Sequence, residues 1–145
     1  MGKRREKVIV MKNFKQKTEE ERLSDSIDEF WKGGLSQISD LHKIPNEIGL
    51  EVLKIIMSTA CHRQNIAPIE LANEVIRKVD REWLRKNMIV AAEEIVCFED
   101  DWDYIRLLEM IHRNVPELLE WGISKGIDSK DENIIDVVEQ FKEYL

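Results

Sequence analysis

The sequence has few of the residues that mark disulfide-rich, fibrous or turn-rich proteins. Its 145 residues include two Cys, three Pro and six Gly. This excludes a disulfide framework and disfavours collagen-like, low-complexity and turn-rich all-β classes. No apolar run approaches the roughly 20 residues that span a bilayer, and Val8–Met11 is too short for a signal-peptide core. We therefore expect a cytoplasmic protein without a membrane span.

What the chain does contain is apolar residues and unevenly placed charge. Hydrophobic residues make up 43% of it, too many for a disordered chain, and its length fits one domain. Residues 1–17 carry seven Lys or Arg and one Glu, a charge of +6. Because the whole chain carries −7, residues 18–145 carry −13. We call residues 18–145 the body of the protein. A charge of this sign and size repels phosphate backbones and attracts cationic proteins.

This division of charge predicts two parts of the chain. Residues 1–17 are expected to form a basic, flexible segment, with an arm for nucleic acid or anionic membrane as the alternative. Residues 18–145 are expected to form a single helical domain. The stretch Lys7–Phe14 has a β-like pattern, and its secondary structure stays undecided.

Apolar residues recur at helical spacing through the body and predict seven to eight short antiparallel helices. The fold class is therefore all-α, either HEAT-like stacked hairpins or an irregular bundle. The helix over 46–59 is apolar on most of its circumference and is expected to be central. The expected elements are a helix from Thr18 to Gly33, a short segment over 35–41, and helices over 46–59, 68–86, 88–98, 101–114, 116–125 and 130–145.

Local signals predict where these helices begin and end. Thr18 with Glu21, and Ser129 with Glu132, have the spacing of capping boxes. Pro68 is expected as the first residue of a helix that Asn87 ends. This helix is predicted from one apolar stripe, made of Ala72, Val75, Ile76, Val79 and Trp83. The inward face of the last helix is predicted to comprise Ile134, Val137, Val138, Phe141 and Leu145.

Few residues suggest catalysis or metal binding. Glu109 and His112 share a helix face at E-x-x-H spacing, but a di-iron bundle needs two such pairs and further carboxylates. Cys61 and His62 are adjacent, so on a helix they point about 100° apart. Cys61 and Cys97 both lie in apolar helical patterns and are expected to act as small hydrophobes. With no nucleophile elbow, phosphate loop or metal motif, we expect no enzyme, cofactor or metal; a metal-dependent helical bundle is the remote alternative.

The most distinctive segment is 93–103, which has six acidic and no basic residues. In one interpretation it is only a helix start, where Asp100 or Asp101 caps free N–H groups. In the other it is an acidic, aromatic-edged patch that binds a basic protein. The two interpretations are compatible, because one Asp suffices for the cap. The candidate partner-binding residues are Glu99, Asp100, Asp101, Trp102, Asp103 and Tyr104.

The C-terminal third resembles a bacterial family. The motif W-x-Y-x-R-L-L-E over 102–109 is followed by Pro-Glu-Leu-Leu at 116–119, Gly-Ile-Asp-Ser at 126–129 and Asp-Glu-Asn-Ile at 131–134. Over about 98–141 this pattern resembles small HEAT-like helical proteins, many of them immunity proteins of polymorphic or contact-dependent toxin systems.

The resemblance implies a function without catalysis. Such a protein binds its cognate toxin tightly and covers the active site or holds the toxin inactive. Toxin domains that cut nucleic acid are often cationic, and a body of −13 suits their capture. The main alternative is an intracellular helical interaction module with another protein partner.

Overall fold

The computed structural model describes residues 16–145, and within this range it contains helices and no strands. The fold class is all-α, as predicted. The stretch Lys7–Phe14 and all but the last two residues of the basic segment 1–17 lie outside the described residues. The α-helices of the described chain are α1 (Glu19–Asp28), α2 (Asn46–Cys61), α3 (Ile66–Arg77), α4 (Arg81–Ile95), α5 (Asp101–Asn114), α6 (Leu119–Ser124) and α7 (Glu132–Lys142), with 3-10 helices at Gly34–Lys43 and Pro116–Leu118.

Helix α2 lies at the centre of the molecule, as its sequence predicts. Its side chains pack against α1, α3, α4, α5 and the 3-10 helix Gly34–Lys43. Contacts on so many sides require an apolar circumference rather than one apolar stripe. The fully buried residues of α2 are Val52, Leu53, Ile56, Met57, Ala60 and Cys61.

Two helical hairpins, α2–α3 and α4–α5, lie side by side in the same direction. Helices α2 and α4 are parallel, because Trp83 Nε1 donates to Asn46 Oδ1 (2.9 Å) at their beginnings and His62 Nε2 lies 2.8 Å from the Ile95 carbonyl oxygen at their ends. Helices α3 and α5 are parallel as well, because Trp102 at the start of α5 bonds to Arg63 just before α3 and Asn114 at the end of α5 bonds to Asn73 in the second half of α3. Hairpins stacked in one direction bring their turns to one end of the molecule.

The predicted helix over 68–86 is wrong, because the chain breaks at 78–80 into α3 and α4. Asp80 accepts a hydrogen bond from the backbone N–H of Trp83 (3.0 Å) and caps α4. Asn87 does not end a helix; it lies inside α4, where its side-chain amide donates to the Trp83 carbonyl oxygen (2.8 Å). The predicted separate helix over 88–98 is also wrong, and the hairpin partner of α5 is the whole of α4.

The helix ends confirm one capping box and correct the other. The Thr18 hydroxyl accepts from the Glu21 N–H (3.1 Å), and the Glu21 carboxylate accepts from the Thr18 N–H (3.3 Å). At α7 the cap is Asp131, whose carboxylate accepts from the Asn133 N–H (2.8 Å). Ser129 instead accepts from the N–H of Asp131 (3.1 Å) and so orders the turn before the cap.

Two further expectations about helix residues need correction. Helix α3 begins at Ile66, so Pro68 lies within the first turn, where a missing N–H loses no helical hydrogen bond. Leu145 lies beyond the end of α7 and is 66% exposed, so it is not a core residue. The other predicted inward residues of α7 are buried.

Candidate partner-binding surface

Three hairpin turns lie next to one another at one end of the molecule. Together with the first residues of α5 they comprise residues 62–65, 96–103 and 125–131, and we call this set the turn surface. Trp102 Nε1, at the start of α5, donates to the carbonyl oxygen of Arg63 in the first turn (3.1 Å). On the other side, Phe98 and Glu99 share a cleft with Lys125 of the third turn. The acidic segment thus occupies the middle of this surface.

Asp100 and Asp101 have different roles at the start of α5. The Asp100 carboxylate accepts from the backbone N–H groups of Trp102 (2.9 Å) and Asp103 (3.2 Å) and is the N-cap. Asp101 is exposed in the first helical turn, where its charge also suits the helix dipole. The cap therefore uses one carboxylate and leaves that of Asp101 facing solvent.

Asp103 is directed into the protein. Its side chain is only 16% exposed, and Oδ2 lies 3.2 Å from His62 Nε2 and accepts from the Cys97 N–H (3.4 Å). His62 Nε2 also lies close to the Ile95 carbonyl oxygen. Asp103 therefore joins the ends of α2 and α4 to the start of α5, which is a structural role.

Trp102 is held from two sides and still exposes 37% of its surface. Its ring N–H bonds to Arg63, and the Arg106 guanidinium lies 4.3 Å from the ring centroid, a cation–π contact. Arg106 is held in turn by Glu109, whose carboxylate accepts from it at 2.8 Å. A large aromatic ring fixed in this way loses little conformational entropy on binding a partner.

Tyr104 departs from the expected surface role. It is fully buried, its hydroxyl donates to the Gly122 carbonyl oxygen (2.8 Å), and burial raises its pKa to about 12. A side chain added at Gly126 would come within 2.7 Å of its ring. Tyr104 therefore attaches α5 to α6, and its side chain is not accessible at the surface.

Glu99 lies on a cleft of about 700 Å³ between the second and third turns. The cleft also holds two carboxylates, of Asp128 and Asp131, and one cation, Lys125, which pairs with Glu93 (3.3 Å). Sequence reasoning missed Asp128 and Asp131 because about thirty residues separate them from Glu99. Their only sequence signals are the Gly-Ile-Asp-Ser and Asp-Glu-Asn-Ile motifs, which contribute to the family resemblance but do not place either side chain on a surface.

The candidate residues for catalysis or metal binding have separate surroundings. Cys61 is fully buried, and burial raises its pKa to about 12, so the thiol stays protonated. Cys97 is exposed in the turn after α4, contrary to the expected helical burial. Glu109 pairs with Arg106, whereas the His112 ring stacks on Tyr144 with centroids 4.0 Å apart. Within residues 16–145, no group of three or more His, Cys, Asp or Glu could hold a metal ion.

Two further findings come from helix hydropathy and from comparison with known proteins. Among the described residues, no helix is long and apolar enough to cross a membrane. No family model, curated protein or solved structure matches the chain.

Proposed function

We propose that this protein binds a basic protein domain through its turn surface and neutralises it without catalysis. The observation that carries the proposal is the rigid, partly exposed Trp102 beside the solvent-facing carboxylates of Glu99 and Asp101. An anchored aromatic ring provides contact area at the centre of an interface. Neighbouring carboxylates accelerate encounter with a cationic partner.

The partner that we propose is a bacterial toxin domain, and the site of action is the cytoplasm. Two features support this choice: the resemblance of 98–141 to immunity proteins, and the charge of −13 on residues 18–145. A toxin domain that binds nucleic acid needs a basic surface. An acidic protein that covers that surface blocks substrate access by occlusion, and no chemical step is required.

Charge reversal on the turn surface tests the proposal. We expect Glu99→Lys with Asp101→Lys to lower the association rate constant for a basic toxin domain encoded beside this gene by about tenfold or more at low salt. The difference between the two rate constants should shrink as the salt concentration rises, because screening weakens the electrostatic attraction between the parent protein and its partner. Stopped-flow fluorescence at several salt concentrations measures both effects.

The matched control reverses two exposed charges elsewhere, with Glu29→Lys and Glu143→Lys. These residues lie outside the turn surface, so the control should stay within about twofold of the parent rate constant while changing net charge equally. Equal slowing in both variants would reduce the proposal to a net-charge effect. Failure of the parent protein to bind or neutralise the neighbouring toxin domain would refute the toxin partner altogether.

A further inference from the structure

A second concave surface lies between α1, the 3-10 helix Gly34–Lys43 and α3. This groove has a volume of about 760 Å³, within the range of cavities that bind ligands. Its apolar lining includes the buried Ile38 and Val75. It shares no residue with the turn surface. The other lining residues are Thr18, Glu20, Glu21, Ser24, Gly33, Leu35, Ser36, Ser39, Leu71, Glu74 and Lys78.

The groove combines an apolar lining with a net negative charge. Leu35 and Leu71 are half-buried and add to the apolar surface. The charged lining residues are three glutamates and one lysine. The occupant that fits both properties is a segment that contains both apolar and basic residues.

The chain itself has such a segment next to the groove. Residues 1–15 contain six Lys or Arg and one Glu, and their apolar residues include the run Val8–Met11 and Phe14. They join the described chain at Gln16, two residues before Thr18, which lines the groove. Lys17, the nearest described cation, already pairs with Asp25 of α1.

We propose that residues 1–15 of this chain bind in this groove, with their apolar side chains on its lining and their cations beside Glu20, Glu21 and Glu74. A segment tethered this closely has an effective local concentration on the order of millimolar. An intrinsic affinity far weaker than micromolar therefore suffices to fill the groove. This proposal differs from the basic, flexible segment that the charge pattern alone predicts.

Trypsin cleavage of the intact chain tests the proposal, because the segment contains six trypsin sites. We expect Glu20→Gln with Glu74→Gln to speed cleavage after Lys7 and Lys12 by roughly fivefold, as two exposed charge pairs are lost. Glutamine adds no new site and keeps the side-chain shape. Cleavage in the parent should also accelerate with added NaCl, and mass spectrometry follows each product.

The control variant is Glu120→Gln with Glu143→Gln, which neutralises two exposed charges outside the groove. It should be cleaved at the parent rate. Equal rates in the parent, the groove variant and the control would overturn the proposal. Protection that grows with protein concentration would overturn the intramolecular contact as well, since a second copy would then supply the segment.

Hydrogen exchange gives a readout that does not depend on protease access. In full-length protein, Val8→Asp with Val10→Asp should speed amide exchange over 35–39 by about fivefold, because the apolar contact with the groove is lost. Exchange in α5 should stay at the parent rate, which excludes general unfolding. Unchanged exchange over 35–39 would contradict occupation by this segment.

Discussion

At the residue scale, two aromatic side chains two positions apart have opposite roles. Trp102 and Tyr104 both follow the acidic run, and the sequence predicts the same partner-facing role for both. The structure exposes Trp102 to solvent and buries Tyr104 completely. The difference depends on α6, because the Tyr104 hydroxyl donates a hydrogen bond to the carbonyl oxygen of Gly122, 18 residues away in the sequence. A local pattern does not contain that contact.

Two variants of Asp100 distinguish its role as the N-cap of α5 from its electrostatic attraction of a basic partner. We expect Asp100→Ala to lower the free energy of unfolding by about 1 kcal/mol, because two backbone N–H groups lose their acceptor. Asp100→Asn keeps a side-chain oxygen for the cap and should be close to the parent in stability. Urea unfolding monitored by circular dichroism measures both variants.

The same two variants test the electrostatic role of this carboxylate. Both remove one negative charge, so both should slow association with a basic partner to a similar degree. If only Asp100→Ala slows association, the residue acts on binding through the helix cap. Equal stability of the two variants would contradict the capping role.

At the element scale, most helices follow from periodicity, whereas the break between α3 and α4 does not. The spacing of Val75, Val79 and Trp83 is that of one continuous helix face. Asp80 nevertheless caps a new helix at this point, and Val79 stays buried across the break. The ring N–H of Trp83 instead donates a hydrogen bond to Asn46 of α2. Tertiary contacts with α2 thus decide between two conformations that the local sequence permits.

Substitution of Asp80 tests how much the N-cap of α4 contributes at this break. Asp80→Ala should lower the free energy of unfolding by about 1 kcal/mol, since the first turn of α4 loses its side-chain acceptor. The matched control is Glu82→Ala in the same turn, which removes an exposed pair with Arg85 and should cost less than about 0.5 kcal/mol. Equal effects in urea unfolding would show that Asp80 has no special role.

At the scale of the whole molecule, composition predicts the chemical class of the partner but does not locate the surface. The charge of −13 on the body follows from counting residues. The cleft shared by Glu99, Asp128 and Asp131 forms only because stacked hairpins bring the second and third turns together. Its distant residues could not be paired from one sequence without the direction in which the hairpins stack.

The central claim is that the turn surface is the binding surface, and a hydrogen-exchange footprint tests it most directly. The measurement compares amide exchange of the full-length protein alone and with saturating basic toxin domain. We predict that added protection concentrates in residues 62–65, 96–103 and 125–131. Protection confined to other parts of the chain, with these turns exchanging as in the free protein, would contradict the account.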